Sequence, residues 1–272
     1  MSHDHPYAVH GVTLHAETFG DPADPAVLLI HGACASMLWW EEELCRRIAA
    51  AGRYVIRYDQ RDTGRSSSFP VGEPGYGLRD LAADAVGLLD ALGIDRAHVV
   101  GRSMSGGVAL VVGVDHPERV RSLTLVSTTT GELPMGAVDV PEQEPDPADP
   151  GAVVDHVVAL TRAYAGTSPH FDDDVTRALV TADVARTCDL AATLGNHYAL
   201  DYAGPRGGGW EALRVPTLVV QGELDPVFPP AHGEALRDAI PGARLVVLAQ
   251  SGHDVLEPAW DPFVAALAEH TS

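Results

Sequence analysis

The chain contains no lysine. All 18 of its basic residues are arginines, set against 38 aspartates and glutamates in 272 residues. Without lysine there is no Schiff base, no anchor for pyridoxal phosphate and no residue to complete a phosphate-cradling P-loop. The dinucleotide signature Gly-x-Gly-x-x-Gly is missing as well. A formal charge of −20 repels nucleic-acid phosphates and anionic lipid surfaces, which excludes a nucleic-acid partner. No run of about 18 apolar residues occurs, so no membrane span is expected. The polar, histidine-rich start from Met1 to Gly20 carries no apolar signal segment, and a cytoplasmic protein is expected. Three cysteines (Cys34, Cys45 and Cys188) cannot all pair and lack zinc-site spacing, so they read as reduced thiols. No cofactor and no metal are expected. The chemistry falls to Ser, His, Asp, Glu, Cys or Arg, acting on a small molecule, and monomer and homodimer stay equally open.

What is present is enough apolar material, 46% of residues, for a sizeable core. Short apolar runs alternate with segments of helical spacing. Val27–Ile30, Tyr54–Tyr58, His98–Gly101, Ser122–Val126, Thr217–Gln221 and Ala243–Leu248 read as buried parallel strands. Between them, Trp40–Ala51, Leu78–Leu92, Met104–Val114 and Ala231–Ile240 read as helices, and a last helix fits Asp261–His270. Val12–Phe19 alternates like an edge strand or hairpin arm. The pattern predicts an α/β fold, a doubly wound, mostly parallel sheet with helices on both faces. From Gly131 to Gly151 the alternation stops in a proline- and acid-rich stretch that reads as a loop or partly disordered. Helical stretches follow at about 153–165, 173–185 and 190–203, then the glycine-rich 204–209. We therefore expect a helical cap over 131–209 inserted into a core made of 1–130 and 210–272.

The stretch His98-Val99-Val100-Gly101-Arg102-Ser103-Met104-Ser105-Gly106-Gly107 runs from a strand through a Gly-x-Ser turn into a small-residue helix. A serine on such an elbow has its Oγ pushed out above the sheet, in a strained backbone that demands small neighbours two residues away. Gly101 meets that demand upstream, whereas Ser105 stands where glycine is usual. Ser105 itself competes as nucleophile, with Gly107 below it, but its turn would start late after Val99-Val100. Ser103 is the better register.

A serine hydroxyl needs a base to take its proton and a third group to orient that base. On this scaffold the order is Ser, acid, His, each in a loop after a strand. Asp225, in Gln221-Gly222-Glu223-Leu224-Asp225-Pro226, and His253, in Gln250-Ser251-Gly252-His253, occupy those places. Glu223 and Glu132 are alternative acids, and Asp225-Pro226 alone would be an ordinary turn. The oxyanion needs preorganised donors. The amide after the nucleophile, Met104, is one, and the loop His31-Gly32-Ala33-Cys34 supplies the other, for which we take Ala33. Cys34, Trp40, Arg102, Leu133, Met135, His197, Tyr198, Val227 and Phe228 are candidates to line a cleft beneath the cap. Arg102, beside the nucleophile, either binds an acidic substrate group or pairs with a cap carboxylate. Asp59-Gln60-Arg61-Asp62-Thr63-Gly64-Arg65-Ser66 reads as an Asp/Arg-braced structural loop beside the active site, without a chemical role.

These residues resemble the α/β-hydrolase superfamily over nearly the whole chain. More narrowly, Phe19–Ala26 (FGDPADPA), Tyr58–Ser66 (YDQRDTGRS), Leu81–Val86 (LAADAV), Asp95–Gly101 (DRAHVVG) and Pro216–Pro226 are similar to the anthracycline (aclacinomycin-type) methylesterases. The wider resemblance implies a Ser-Asp-His hydrolase without a cofactor. The narrower one implies removal of a methyl ester from a polycyclic aromatic polyketide, with Ser103, Asp225 and His253 as triad and Ala33 and Met104 as oxyanion donors. The expected activity is hydrolysis of a carboxylic ester of a hydrophobic or aromatic small molecule. Lactone or C–C bond hydrolysis, or cyclisation, on the same triad is the first alternative. A hydrolase-shaped, non-catalytic ligand-binding protein is the second.

Overall fold

The computed structural model describes residues 4–272. Eight strands form one sheet: β1 (His5–Val9), β2 (Val12–Phe19), β3 (Ala26–Ile30), β4 (Tyr54–Tyr58), β5 (Ala97–Arg102), β6 (Val120–Val126), β7 (Thr217–Gly222) and β8 (Arg244–Leu248). Their order is β1-β2-β4-β3-β5-β6-β7-β8. β1 and β2 pair antiparallel, β2 joins β4 antiparallel, and every later pairing is parallel. The sequence reading missed β1. Its five residues, His-Pro-Tyr-Ala-Val, are mostly exposed, as an outermost strand allows, so they carry little apolar pattern. Val12–Phe19 is a hairpin arm, but it lies one strand in from the edge.

β3 explains why the interior strands are continuously apolar. All five of its residues are buried, because helices cover both faces. Val27 and Leu29 face one cluster with Leu44 and Ile48 of α1 (Glu42–Ala50) and Phe263 and Leu267 of α8 (Trp260–His270). Leu28 and Ile30 face the other, with Leu81 and Leu88 of α2 (Leu78–Ala91), Val108 and Val112 of α3 (Ser105–Asp115) and Leu236 of α7 (Ala231–Ala239). Successive residues on opposite faces are the consequence of the pleat.

Between β6 and β7 lie α4 (Pro150–Ala165), α5 (Asp173–Arg186) and α6 (Leu190–Gly195). Each opens on an aspartate whose carboxylate accepts backbone N–H bonds: Asp149 from Gly151 and Ala152, Asp172 from Val175, Asp189 from Ala192. Part of the acidity of this segment is therefore helix capping. Val154, Val158 and Val180 form a small core of their own, with Trp39 packed against it. The expected third helix stops early: after Gly195 the chain makes a 3-10 turn, Asn196–Tyr198, and Asp201 bridges Gly77. Among the described residues no helix is long and apolar enough to cross a membrane.

Candidate active site

β5 delivers Ser103 into the left-handed region, at φ +52°, before α3 begins two residues later. Such a backbone is rare for a residue with a side chain and persists only where the surroundings enforce it. At Gly101 a Cβ would lie 2.2 Å from the Ser105 carbonyl oxygen, so nothing larger fits. Gly106 is equally confined: its Cβ would sit 2.2 Å from Thr128 Oγ1, a hydroxyl that donates to the Ser103 carbonyl at 2.7 Å. Ser105 is fully buried and its hydroxyl donates to the His31 carbonyl, which removes it as a nucleophile. The extra hydroxyl thus ties the elbow to the loop after β3.

His253 Nε2 lies 3.0 Å from Ser103 Oγ, and His253 Nδ1 lies 2.9 Å from Asp225 Oδ2. The carboxylate accepts the Nδ1 proton, leaving Nε2 to accept from the serine. Asp225 is itself fixed. Its Oδ1 accepts from the Val227 and Phe228 amides at 2.9 and 3.0 Å, and its Oδ2 accepts from Gln221 Nε2 at 3.2 Å. The imidazole is held by α4, whose Tyr164 carbonyl accepts the His253 amide at 3.1 Å and whose ring meets it edge-on at 5.5 Å. Neither alternative acid takes part: Glu223 accepts from the Gln250 amide, and Glu132 is exposed on its loop.

Among the described residues the Ala33 and Met104 amides have no hydrogen-bond partner, and both residues line the cavity above Ser103. The loop carrying Ala33 is braced from behind. Gln60 Nε2 donates to the His31 carbonyl at 2.8 Å, and Asp59 accepts the Met37 amide at 2.8 Å. The Cys34 amide, at φ +61°, donates to His197 Nδ1 at 3.0 Å while His197 Nε2 donates to the Arg61 carbonyl at 2.9 Å. Burial holds His197 below the usual imidazole range, in keeping with a neutral ring that accepts on one nitrogen. The same Asp59–Ser66 stretch anchors the cap. Arg186 of α5 pairs with Asp59, Asn196 Nδ2 donates to Asp62, and Thr193 Oγ1 donates to the Asp62 carbonyl.

The cavity encloses about 870 Å³. Of the sequence candidates, Cys34, Arg102, Met135, Tyr198, Val227 and Phe228 line it. Three do not. Trp40 is 1% exposed and stacks on Phe263 in the core, and its neighbour Trp39 lines the cavity instead. His197 is consumed by the brace just described, and Leu133 points to solvent at 37% exposure. Arg102 contacts neither substrate space with a free charge nor a cap carboxylate: it pairs with Asp254, the residue after His253. Burial pushes the Cys34 thiol up to about 12, so it is inert as a nucleophile at neutral pH. Proximity to Cys34, followed by burial, raises Tyr198, while burial raises Tyr164; both phenols stay protonated.

A family model described as "alpha/beta hydrolase fold" matches residues 25–259. The chain belongs to the alpha/beta hydrolase fold family. Among proteins similar to this hydrolase-fold chain is rhodomycin D methylesterase DauP of Streptomyces sp. (strain C5), 35% identical and covering 96% of this chain and 95% of its own. Rhodomycin D methylesterase DnrP of Streptomyces peucetius is 34% identical over the same shares. The enol-lactonase from Burkholderia xenovorans LB400 superposes with a TM-score of 0.77 at 24% identity, covering 97% of this chain and 98% of that one. That likeness speaks for the hydrolase fold alone. Sequence reasoning missed Asp254 and Tyr164 as neighbours of the site, whereas the stretch that carries Gln60 was read as a brace beside it. Only Asp254, adjacent to His253, carried a local signal.

Proposed function

We propose that the protein is a serine carboxylic-ester hydrolase that removes a methyl ester from a hydrophobic, polycyclic aromatic small molecule, as a tailoring step in polyketide metabolism. The carrying observation is the hydrogen-bonded series Ser103 Oγ, His253 Nε2, His253 Nδ1 and Asp225 Oδ2, set on the floor of an 870 Å³ cavity with Trp39, Tyr164, Tyr198 and Phe228 in its walls. The similarity to two rhodomycin D methylesterases over 96% of the chain supports the substrate class. In this reading residues 131–209 form a cap domain over a catalytic core of 1–130 and 210–272. The unpaired thiols of Cys34, Cys45 and Cys188 suit the cytoplasm.

Ser103 Oγ attacks the ester carbonyl as His253 Nε2 takes its proton. The Ala33 and Met104 amides stabilise the oxyanion, and their freedom from internal partners means no bond must break first. Collapse expels methoxide, which takes the proton from His253 and leaves as methanol. Water then attacks the acyl-enzyme by the same route and releases the carboxylic acid. Ser103→Ala should lower turnover of p-nitrophenyl acetate by orders of magnitude and abolish fluorophosphonate labelling. Undiminished turnover in that variant rejects the mechanism. Inertness toward esters alongside turnover of a lactone or β-diketone moves the reaction to another bond.

A further inference from the structure

The cavity floor holds one charged pair that the reaction above does not use. Arg102 precedes Ser103 and Asp254 follows His253, and their side chains form an ion pair with the residues only 4% and 7% exposed. The second guanidinium nitrogen, Nη1, lies 2.6 Å from His31 Nε2. Arginine has no acceptor, so Nε2 must accept, and His31 is neutral with its proton on Nδ1. Burial, with Arg102 and His253 nearby, holds the His31 pKa well below the usual imidazole range. The His31 carbonyl in turn accepts from Ser105 Oγ and Gln60 Nε2, one peptide before the amide of Ala33.

One guanidinium therefore touches groups from two other chain segments while its own backbone abuts the nucleophile. We propose that Arg102 is a positioning residue that holds the imidazole loop, through Asp254, and the oxyanion loop, through His31, in register with the Ser103 elbow. This rests on Ser103 being the nucleophile. A buried ion pair adds little stability over apolar groups of the same shape, because desolvation of both charges offsets their attraction. Its effect is instead geometric. The relay and the two free amides sit on four loops, and a displacement of about 1 Å in any of them costs about 10²-fold in rate.

The test compares Arg102→Met, Asp254→Asn and the double variant, using p-nitrophenyl acetate. Each single variant strands a buried charge and can fail to fold, whereas the double variant strands none. The double variant should melt close to the parent and lose about 10²-fold in kcat, with KM within about twofold. Single variants that fold give a second readout. Asp225 and Tyr164 of α4 touch the His253 ring and His31 lies near it, while Arg102 and Asp254 have beside them Glu41 at the start of α1, whose carboxyl burial pushes up to about 7. An unpaired Asp254 favours positive charge nearby, so Arg102→Met should move the rising limb of kcat/KM to higher pH. An unpaired Arg102 should move it lower in Asp254→Asn, and the double variant should restore it. Glu41→Gln in each background removes the contribution of the raised carboxyl beside the pair. A folded double variant that keeps the parent kcat within about threefold overturns the proposal, as do limbs that stay put in both single variants. Ser103→Ala separates the two readings. An essential Ser103 with a dispensable Arg102 rejects only the positioning role, and a dispensable Ser103 rejects the nucleophile itself.

Discussion

Asp225→Asn should leave the fold intact and nearly abolish turnover, and the reason lies in how many donors converge on that carboxylate. Oδ1 accepts two backbone N–H bonds, from Val227 and Phe228, while Oδ2 accepts from Gln221 Nε2 and His253 Nδ1. An asparagine has one acceptor oxygen. Placing it at Oδ1 satisfies both amides, which cannot rotate away, and so puts the NH2 at Oδ2. There it faces two donors. Gln221 Nε2 retains the carbonyls of Gly222 and Phe228, so its loss is small. His253 has no such alternative. Its ring must move its proton to Nε2 so that Nδ1 can accept from the new amide. Nε2 then donates toward Ser103 Oγ, 3.0 Å away, and can no longer take the serine proton. The loss expected for a wrong tautomer is about 10⁴-fold in kcat, equivalent to about 5.5 kcal/mol of barrier. Stability should fall by no more than about 1–2 kcal/mol, since the bonds to Val227, Phe228 and His253 persist as neutral ones and removing the buried charge offsets part of their weakening. Steady-state kinetics with p-nitrophenyl acetate at pH 7.5, beside a urea melt of the same preparation, provide the check. A folded variant retaining kcat within about tenfold would refute the tautomer argument and with it the orienting role of Asp225.

Three further outcomes follow from the same geometry. Ser105→Ala removes a buried hydroxyl whose acceptor, the His31 carbonyl, keeps Gln60 Nε2, so urea melts should show a loss of about 1 kcal/mol; more than about 3 would mean the elbow depends on that bond. Gly101→Ala forces a Cβ to within 2.2 Å of the Ser105 carbonyl oxygen, a backbone atom, and should cost about 1–3 kcal/mol together with most of the fluorophosphonate labelling. Undisturbed labelling would show that the elbow tolerates a larger neighbour. His98, bonded to Ser122 Oγ, is pulled down to about 4 by burial first and by nearby arginines second. The unfolded chain, near 6.5, binds the extra proton first, so stability is fully present above that pH and declines as pH falls toward 4, by about 3 kcal/mol. His98→Asn should flatten that slope in urea melts at pH 7 and 4.5, and an unchanged slope would assign it to other groups.

The interior strands were legible because parallel pairing buries both faces, so Val27–Ile30 and Thr217–Gln221 had to be apolar runs whatever their neighbours. The edge strand His5–Val9 was not, since successive residues on both faces are exposed and no apolar alternation is left. Ser103, Asp225 and His253 could be picked out because each follows a strand at a loop position the reaction demands. Their spacing of 2.9 and 3.0 Å could not. Trp40 and Trp39 show where local reading fails: adjacent tryptophans are equivalent in a one-dimensional pattern, and only the turn of Met37–Trp39 sends one to the core and the other to the cavity. Arg102 is the same case for charge. The sequence left a substrate group or a cap carboxylate as its partner, and Asp254 was chosen by the approach of two loops 152 residues apart. The amino-acid order by itself determined the fold class, the strained elbow at Ser103 and which three residues form the hydrogen-bonded series, because periodicity and strained turns are properties of neighbours along the chain. The bracing by Gln60, His197 and Arg102, and the choice of cavity walls, were decided only by tertiary structure, because hydrogen bonds and desolvation act between groups that sequence separation does not bring together.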